Sequence, residues 1–151
     1  MTWSTATVVR PEREGAADRG DIVASMTGAS HVTSFSWTLG ATSVAWSCGD
    51  QRVENAYATE VRSAVPLLDG SGVAIVEPFG VGGRDNAAVY DADGSLRFRV
   101  RFPASQPDGE WFEQAYYVRK VLTFFAIVHG GDRAFEVDEA TGAILRSYEC
   151  R

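Results

Sequence analysis

Histidine and cysteine are scarce in this chain, with two of each among 151 residues. Cys48 and Cys150 stand outside any C-x-x-C pair or Cys/His cluster, so neither a metal site nor a disulfide framework is expected. Two free thiols are the simpler reading, and a bridge between them stays open. His31 and His129 come without a G-x-S-x-G, H-E-x-x-H or Cys–His signature. No catalytic residue and no cofactor follow from the pattern, and the expectation leans away from an enzyme. Lysine is nearly absent: Lys120 stands against 13 arginines, an imbalance that reads as coding bias rather than chemistry. Long apolar runs are missing too. The longest, Val121–Val128, is broken by Thr123 and too short to cross a bilayer. The opening residues include Arg10, Glu12, Arg13, Glu14, Asp18 and Arg19 and lack the apolar heart of a signal peptide. A cytoplasmic protein is the expectation.

What is present is apolar and acidic. Hydrophobic residues make up 45%, enough to close one core, so residues 1–151 read as a single domain. The net charge of −6 repels nucleic-acid phosphates and anionic lipids and attracts basic surfaces. A protein partner of basic character is therefore expected, with no nucleic acid and no membrane.

The apolar residues alternate, which is the period of strands. Strands are expected at Thr2–Arg10, Asp21–Met26, His31–Leu39 and Thr42–Cys48, the last two joined by a turn at Gly40-Ala41. Asp50–Ala64 suits a turn of helix through Val53, Ala56, Tyr57, Glu60 and Val61, or a strand through Tyr57, Thr59 and Val61; strand is preferred for its β surroundings. Further strands are expected at Val73–Glu77, Asn86–Tyr90, Ser95–Phe102, Phe112–Val118, Val121–Val128, Ala134–Asp138 and Ala143–Glu149. Val121–Val128 is apolar on both faces and belongs inside a sheet. The fold expected is all-β, an antiparallel meander of about ten or eleven short strands, arranged as a propeller-like sheet stack or a β-sandwich.

Two stretches repeat. Ala88-Val89-Tyr90-Asp91-Ala92-Asp93-Gly94-Ser95-Leu96-Arg97 matches Phe135-Glu136-Val137-Asp138-Glu139-Ala140-Thr141-Gly142-Ala143-Ile144-Leu145-Arg146, with Asp91 and Asp138 47 residues apart. That period suits propeller blades. The second copy resembles the hairpin of quinoprotein-type β-propeller repeats, in which an apolar strand ends in Asp, continues x-x-Thr-Gly and starts another apolar strand. It departs from that family in lacking a Trp after the second strand, where Tyr148 or Phe98 stands nearby. The resemblance implies blade-like hairpins and carries over no quinone site. The chain can supply at most about three four-stranded blades, so a closed ring requires self-assembly.

Several features invite a functional reading. Asp91-x-Asp93-Gly94 begins like a calcium loop, but Phe102 holds the position where the closing Glu belongs, so a plain turn is expected. Gly80–Arg84 leads into a strand and lacks the Gly-Lys-Ser/Thr of a phosphate loop. Arg97, Arg99 and Arg101 alternate on one strand, which places them on one face about 7 Å apart. They suit either an anionic ligand or a solvated face paired with Glu136 or Glu113. Trp111 follows a Pro/Gly loop, as a core plug or an interface anchor. Two functions follow. One is a non-enzymatic protein that occludes a partner, similar in character to bacterial toxin immunity proteins, through Asp108, Glu110, Trp111 and Glu113. The other is a small-molecule domain, enzymatic in one version, that grips an anion with Arg97, Arg99 and Arg101.

Overall fold

The computed structural model describes residues 4–9, 31–81, 83–103, 111–128 and 131–150. Within them the chain is all-β, as the alternation predicts, and holds twelve strands. These are β1 Ser4–Val9, β2 Val32–Ser36, β3 Ser43–Cys48, β4 Gln51–Tyr57, β5 Ser63–Pro66 and β6 Gly72–Val76, followed by β7 Ala87–Asp91, β8 Leu96–Arg99, β9 Phe112–Val118, β10 Val121–Val128, β11 Gly131–Val137 and β12 Ile144–Cys150. Asp50–Ala64 resolves as β4 plus the start of β5, which raises the strand count above the ten or eleven expected. The expected strand Asp21–Met26 lies outside the described residues. Among them no helix is long and apolar enough to cross a membrane.

The strands form three antiparallel sheets of four. The second runs β5-β6-β7-β8 and the third β9-β10-β11-β12, each a simple meander. β10 lies inside the third sheet, where its apolar character placed it. The first sheet differs. Its meander is β2-β3-β4, and β1, 43 to 53 residues earlier in the sequence, adds along β4. That difference explains why the sequence repeat occurs twice and not three times. The two copies are the last hairpins of the second and third sheets, and the first sheet has no turn at that place.

Both repeat turns close in the same way. Gly94 N–H donates to the Asp91 carbonyl at 2.9 Å, and Gly142 N–H to the Asp138 carbonyl at 2.8 Å. Gly142 has φ +80, and a Cβ there would lie 2.4 Å from Phe98 Cδ1, so the close seat of this turn on β8 admits only glycine.

The second sheet is buried on both faces. Val73, Ile75, Ala88 and Tyr90 pack with Val44, Trp46, Val53 and Tyr57 of the first sheet. Ala74, Val76, Ala87 and Val89 pack with Phe112, Leu122, Phe124 and Phe135 of the third. The sheets therefore stack in chain order, and Phe102, just after β8, meets Phe112 and Phe135 of the third sheet at a tilt.

Polar clasps cross both interfaces at one end of the second sheet. Asn86 is fully buried. Its amide donates to the carbonyls of Glu77 and Phe112, both at 2.9 Å, and its Oδ1 accepts from Phe112 N–H at 2.9 Å. One side chain thus ties the second sheet to the start of β9. Asn86→Ala leaves three buried backbone groups without partners, so a loss of ~3 kcal/mol or more is expected. Urea titration measures it; a loss near that of an average surface substitution would show that the clasp is not holding the interface.

Candidate functional site

Four side chains from three segments close into a ring. Phe79 follows Pro78 in the loop after β6. Its ring centroid lies 4.2 Å from that of Trp111, tilted by 44°. Arg62, between β4 and β5, places Cζ 4.7 Å from the same centroid. Glu113 on β9 joins the ends: Oε2 accepts from Arg62 Nε at 3.2 Å and Nη2 at 2.8 Å, and Oε1 accepts from Trp111 Nε1 at 3.1 Å. The Trp111 indole is held at ring face and N–H together, yet the residue stays 39% exposed. It is therefore not the core plug that its sequence position also allowed. Beside it a cleft of about 590 Å³ is lined by Thr42, Thr59, Glu60, Arg62, Pro78 and Phe79.

Of the partner-facing residues suggested by sequence, Trp111 and Glu113 come together here. Asp108 and Glu110 lie outside the described residues, as does His129. Arg62 and Phe79 were missed. Neither sits in a motif, and separations of 17 to 51 residues are closed only by the fold.

The arginine row does not form a common face. β8 bulges against β7: Tyr90 pairs with Leu96 and Val89 with Phe98, so Arg97 is the extra residue. Arg97 donates to Asp91 Oδ1 at 2.5 Å, the Glu139 carbonyl at 3.1 Å, and the Ser71 carbonyl and hydroxyl at 3.0 Å. Arg99 instead donates to buried Glu77 and to the Asp85 carbonyl. Arg101 is exposed. Glu113 and Glu136, the expected cross-strand partners of this row, pair with Arg62 and Arg146. The bulge also turns Leu96 outward, 51% exposed, while Val100 and Phe102 reach the core.

Glu77 is fully buried at the end of β6. Oε1 takes Arg99, and Oε2 accepts from Tyr57 Oη at 2.5 Å and Tyr90 Oη at 2.9 Å. Tyr57 belongs to the first sheet, so this cluster ties the first sheet to the second. Burial, then the Glu77 charge, pushes the Tyr57 hydroxyl far above its ordinary range and that of Tyr90 up to about 12. Burial works against the Arg99 charge, but Glu77 outweighs it and holds that charge more firmly. Surrounded by donors, this carboxylate is a structural tie.

The remaining motifs read as turns and packing. Asp93 Oδ1 accepts from Ser95, and Asp91 takes Arg97. His31 lies against Gly70. Neither Cys48 nor Cys150 is in a disulfide, and burial, then Asp93, raises the Cys48 thiol. Among the described residues no three of His, Cys, Asp and Glu gather as a metal site would need. Comparison with family models, with curated proteins and with solved structures finds no match for this chain.

Both buried tyrosines bind their protons more tightly folded than unfolded. Their stabilisation is complete below ~10, the ordinary tyrosine value. The share of Tyr90 is lost as pH climbs through about 12, and that of Tyr57 goes on falling above it. Over that window stability should fall by ~1.4 kcal/mol per pH unit for each raised tyrosine. Urea melts at stepped alkaline pH should show a shallower fall in Tyr57→Phe; an identical slope would remove Tyr57 from the cluster's energetics.

Proposed function

We propose that this domain is a non-enzymatic binding protein that occludes a protein partner, in the manner of a toxin immunity protein, with Trp111 as its anchor. The observation that carries the reading is the ring of Trp111, Phe79, Arg62 and Glu113. Tryptophan and arginine dominate interface energetics, and a half-exposed indole already fixed in place loses little freedom on binding. The acidic balance of the chain supports a basic partner, since complementary charge speeds encounter and fixes orientation. Glu60 in the adjoining cleft adds an exposed carboxylate beside the aromatic platform. An anionic ligand held by Arg97, Arg99 and Arg101 has less to support it, because two of the three guanidiniums are engaged by internal carboxylates.

The test is calorimetry of the chain against the protein encoded by the neighbouring gene, at low and raised salt. Affinity should fall as salt rises. Trp111→Ala should weaken binding by ~2 kcal/mol or more, about 30-fold. No binding at low salt overturns this reading.

A further inference from the structure

Two backbone devices shape the cleft beside Trp111. Residues 58–60 form an arch whose feet are pinned just ahead of β3. Tyr57 N–H donates to the Thr42 carbonyl and Val61 N–H to the Ala41 carbonyl, both at 2.9 Å. Glu60 stands exposed in that arch. Phe79, which also lines the cleft, sits in a turn closed by Val81 N–H to the Pro78 carbonyl at 3.2 Å. Gly80 has φ +91 there, a positive value that the third residue of a type II turn requires. Buried Val81 anchors the turn to the core. Three charged groups meet at this place. Glu113 takes Arg62 through Nε and Nη2, so those two cancel. Among the described residues no cation pairs with Glu60. One negative charge is therefore left over, in a cleft it shares with Thr42, Thr59 and the ring of Phe79.

We infer that this cleft takes an arginine side chain of the partner. The inference rests on the binding role proposed above and names the residue that the site recognises. An anion is disfavoured, because it finds Arg62 already held by Glu113 and meets two carboxylates. A cation finds Glu60. A guanidinium suits the lining better than an ammonium does. It is planar, weakly hydrated and carries five N–H donors in a fixed fork. The lining offers a carboxylate and two hydroxyls as acceptors, with a flat aromatic wall. Phe79 already carries one guanidinium, that of Arg62, at 4.7 Å from its ring centroid. The methylene stem of the incoming arginine finds apolar surface on Pro78 and Phe79. Trp111 adds to the attraction. Its N–H donates to the Glu113 carboxylate, which enriches the indole and strengthens the pull of its exposed face on a cation. At about 590 Å³ the cleft is of the size that ligand clefts have, roughly 300–1,000 Å³, so it admits the side chain with the backbone that carries it. Arch and turn hold the lining in place before binding, so little order is lost on filling it. The net charge of −6 draws such a partner in.

Titration of the whole chain with N-acetyl-arginine amide, followed by NMR, tests the cleft. The Trp111 indole N–H signal, identified as the one lost in Trp111→Phe, should shift and saturate in the millimolar range. The citrulline analogue has the same shape without the charge and should give no saturating shift. The lysine analogue should bind more weakly than the arginine one. Glu60→Gln should weaken arginine binding roughly 3-fold, as suits one exposed ion pair, and Glu60→Lys should abolish it. Glu60 is exposed, so both variants should keep the urea midpoint of the parent chain. No saturating shift with the arginine analogue, an equal response to citrulline, or undiminished binding in Glu60→Gln overturns the inference. Calorimetry against the neighbouring gene's product separates this result from the fate of the binding role. A partner that needs Trp111 but binds Glu60→Lys as tightly as the parent chain overturns the arginine cleft and leaves the role standing. Arginine binding by a chain that takes no such partner does the reverse.

Discussion

A buried carboxylate costs several kcal/mol to desolvate, so Glu77 can exist only where its neighbours are fixed. It has three: Arg99 from the end of β8, Tyr90 from β7 and Tyr57 from the first sheet. Its backbone N–H also donates to the Asn86 carbonyl at 2.7 Å, and the Asn86 side chain then reaches the third sheet at Phe112. All three sheets are thus tied through two buried polar residues facing each other across β6 and β7. Hydrophobic packing can slide by small amounts with little loss; hydrogen bonds of this geometry cannot. The clasp therefore fixes how the sheets sit on one another. It also places the aromatic platform. Phe79 follows Glu77 by two residues, and Phe112 lies between Trp111 and Glu113. Both halves of the platform hang from the same polar knot.

The stack is asymmetric in a way that follows from its connectivity. The second and third sheets are continuous meanders, and their matching hairpins preserve a common Asp-to-Gly turn. The first sheet is completed by β1, so its last pairing joins strands 43 to 53 residues apart in sequence. Such pairing costs more loop-closure entropy than a hairpin does. The outer face of that sheet carries Ser43, Ser47, Arg52 and Glu54 and suits a terminus of the stack, whereas Tyr116 and Ile127 stand exposed on that of the third sheet.

Much of this was legible in the sequence, for reasons that can be named. Period-two alternation marked β3 and β9, a run apolar on both faces marked β10 as an inner strand, and the paired Asp–Gly turns gave the spacing of the last two sheets. Where legibility failed, tertiary geometry had overridden the local pattern. The row Arg97, Arg99, Arg101 read as one face because alternation assumes an unbroken ladder. The bulge at Arg97 breaks it, and each guanidinium follows its own carboxylate. The β9–β10 turn was located by the strands on either side of it rather than by turn residues. Arg119 and Lys120 sit at φ 49 and 64 without a glycine or asparagine, held there by the strands on either side. Glu77 looked like the polar end of an apolar strand. Only the stack turns it inward, because its partners lie up to 22 residues away. Trp111 was found as a feature, but its supports Arg62 and Phe79 carry no sequence mark of their role.

The platform and the outer face of the third sheet share one strand without competing for it. β9 begins beside the platform, where Glu113 turns toward Arg62 of the neighbouring sheet. Three residues later Tyr116 faces the opposite way, onto the outer face. Covering the outer face therefore leaves Trp111 open. The two faces of β9 are thus separate, and the rigidity that Glu77 and Asn86 impose on the start of the strand holds Trp111 in place whatever meets the outer face.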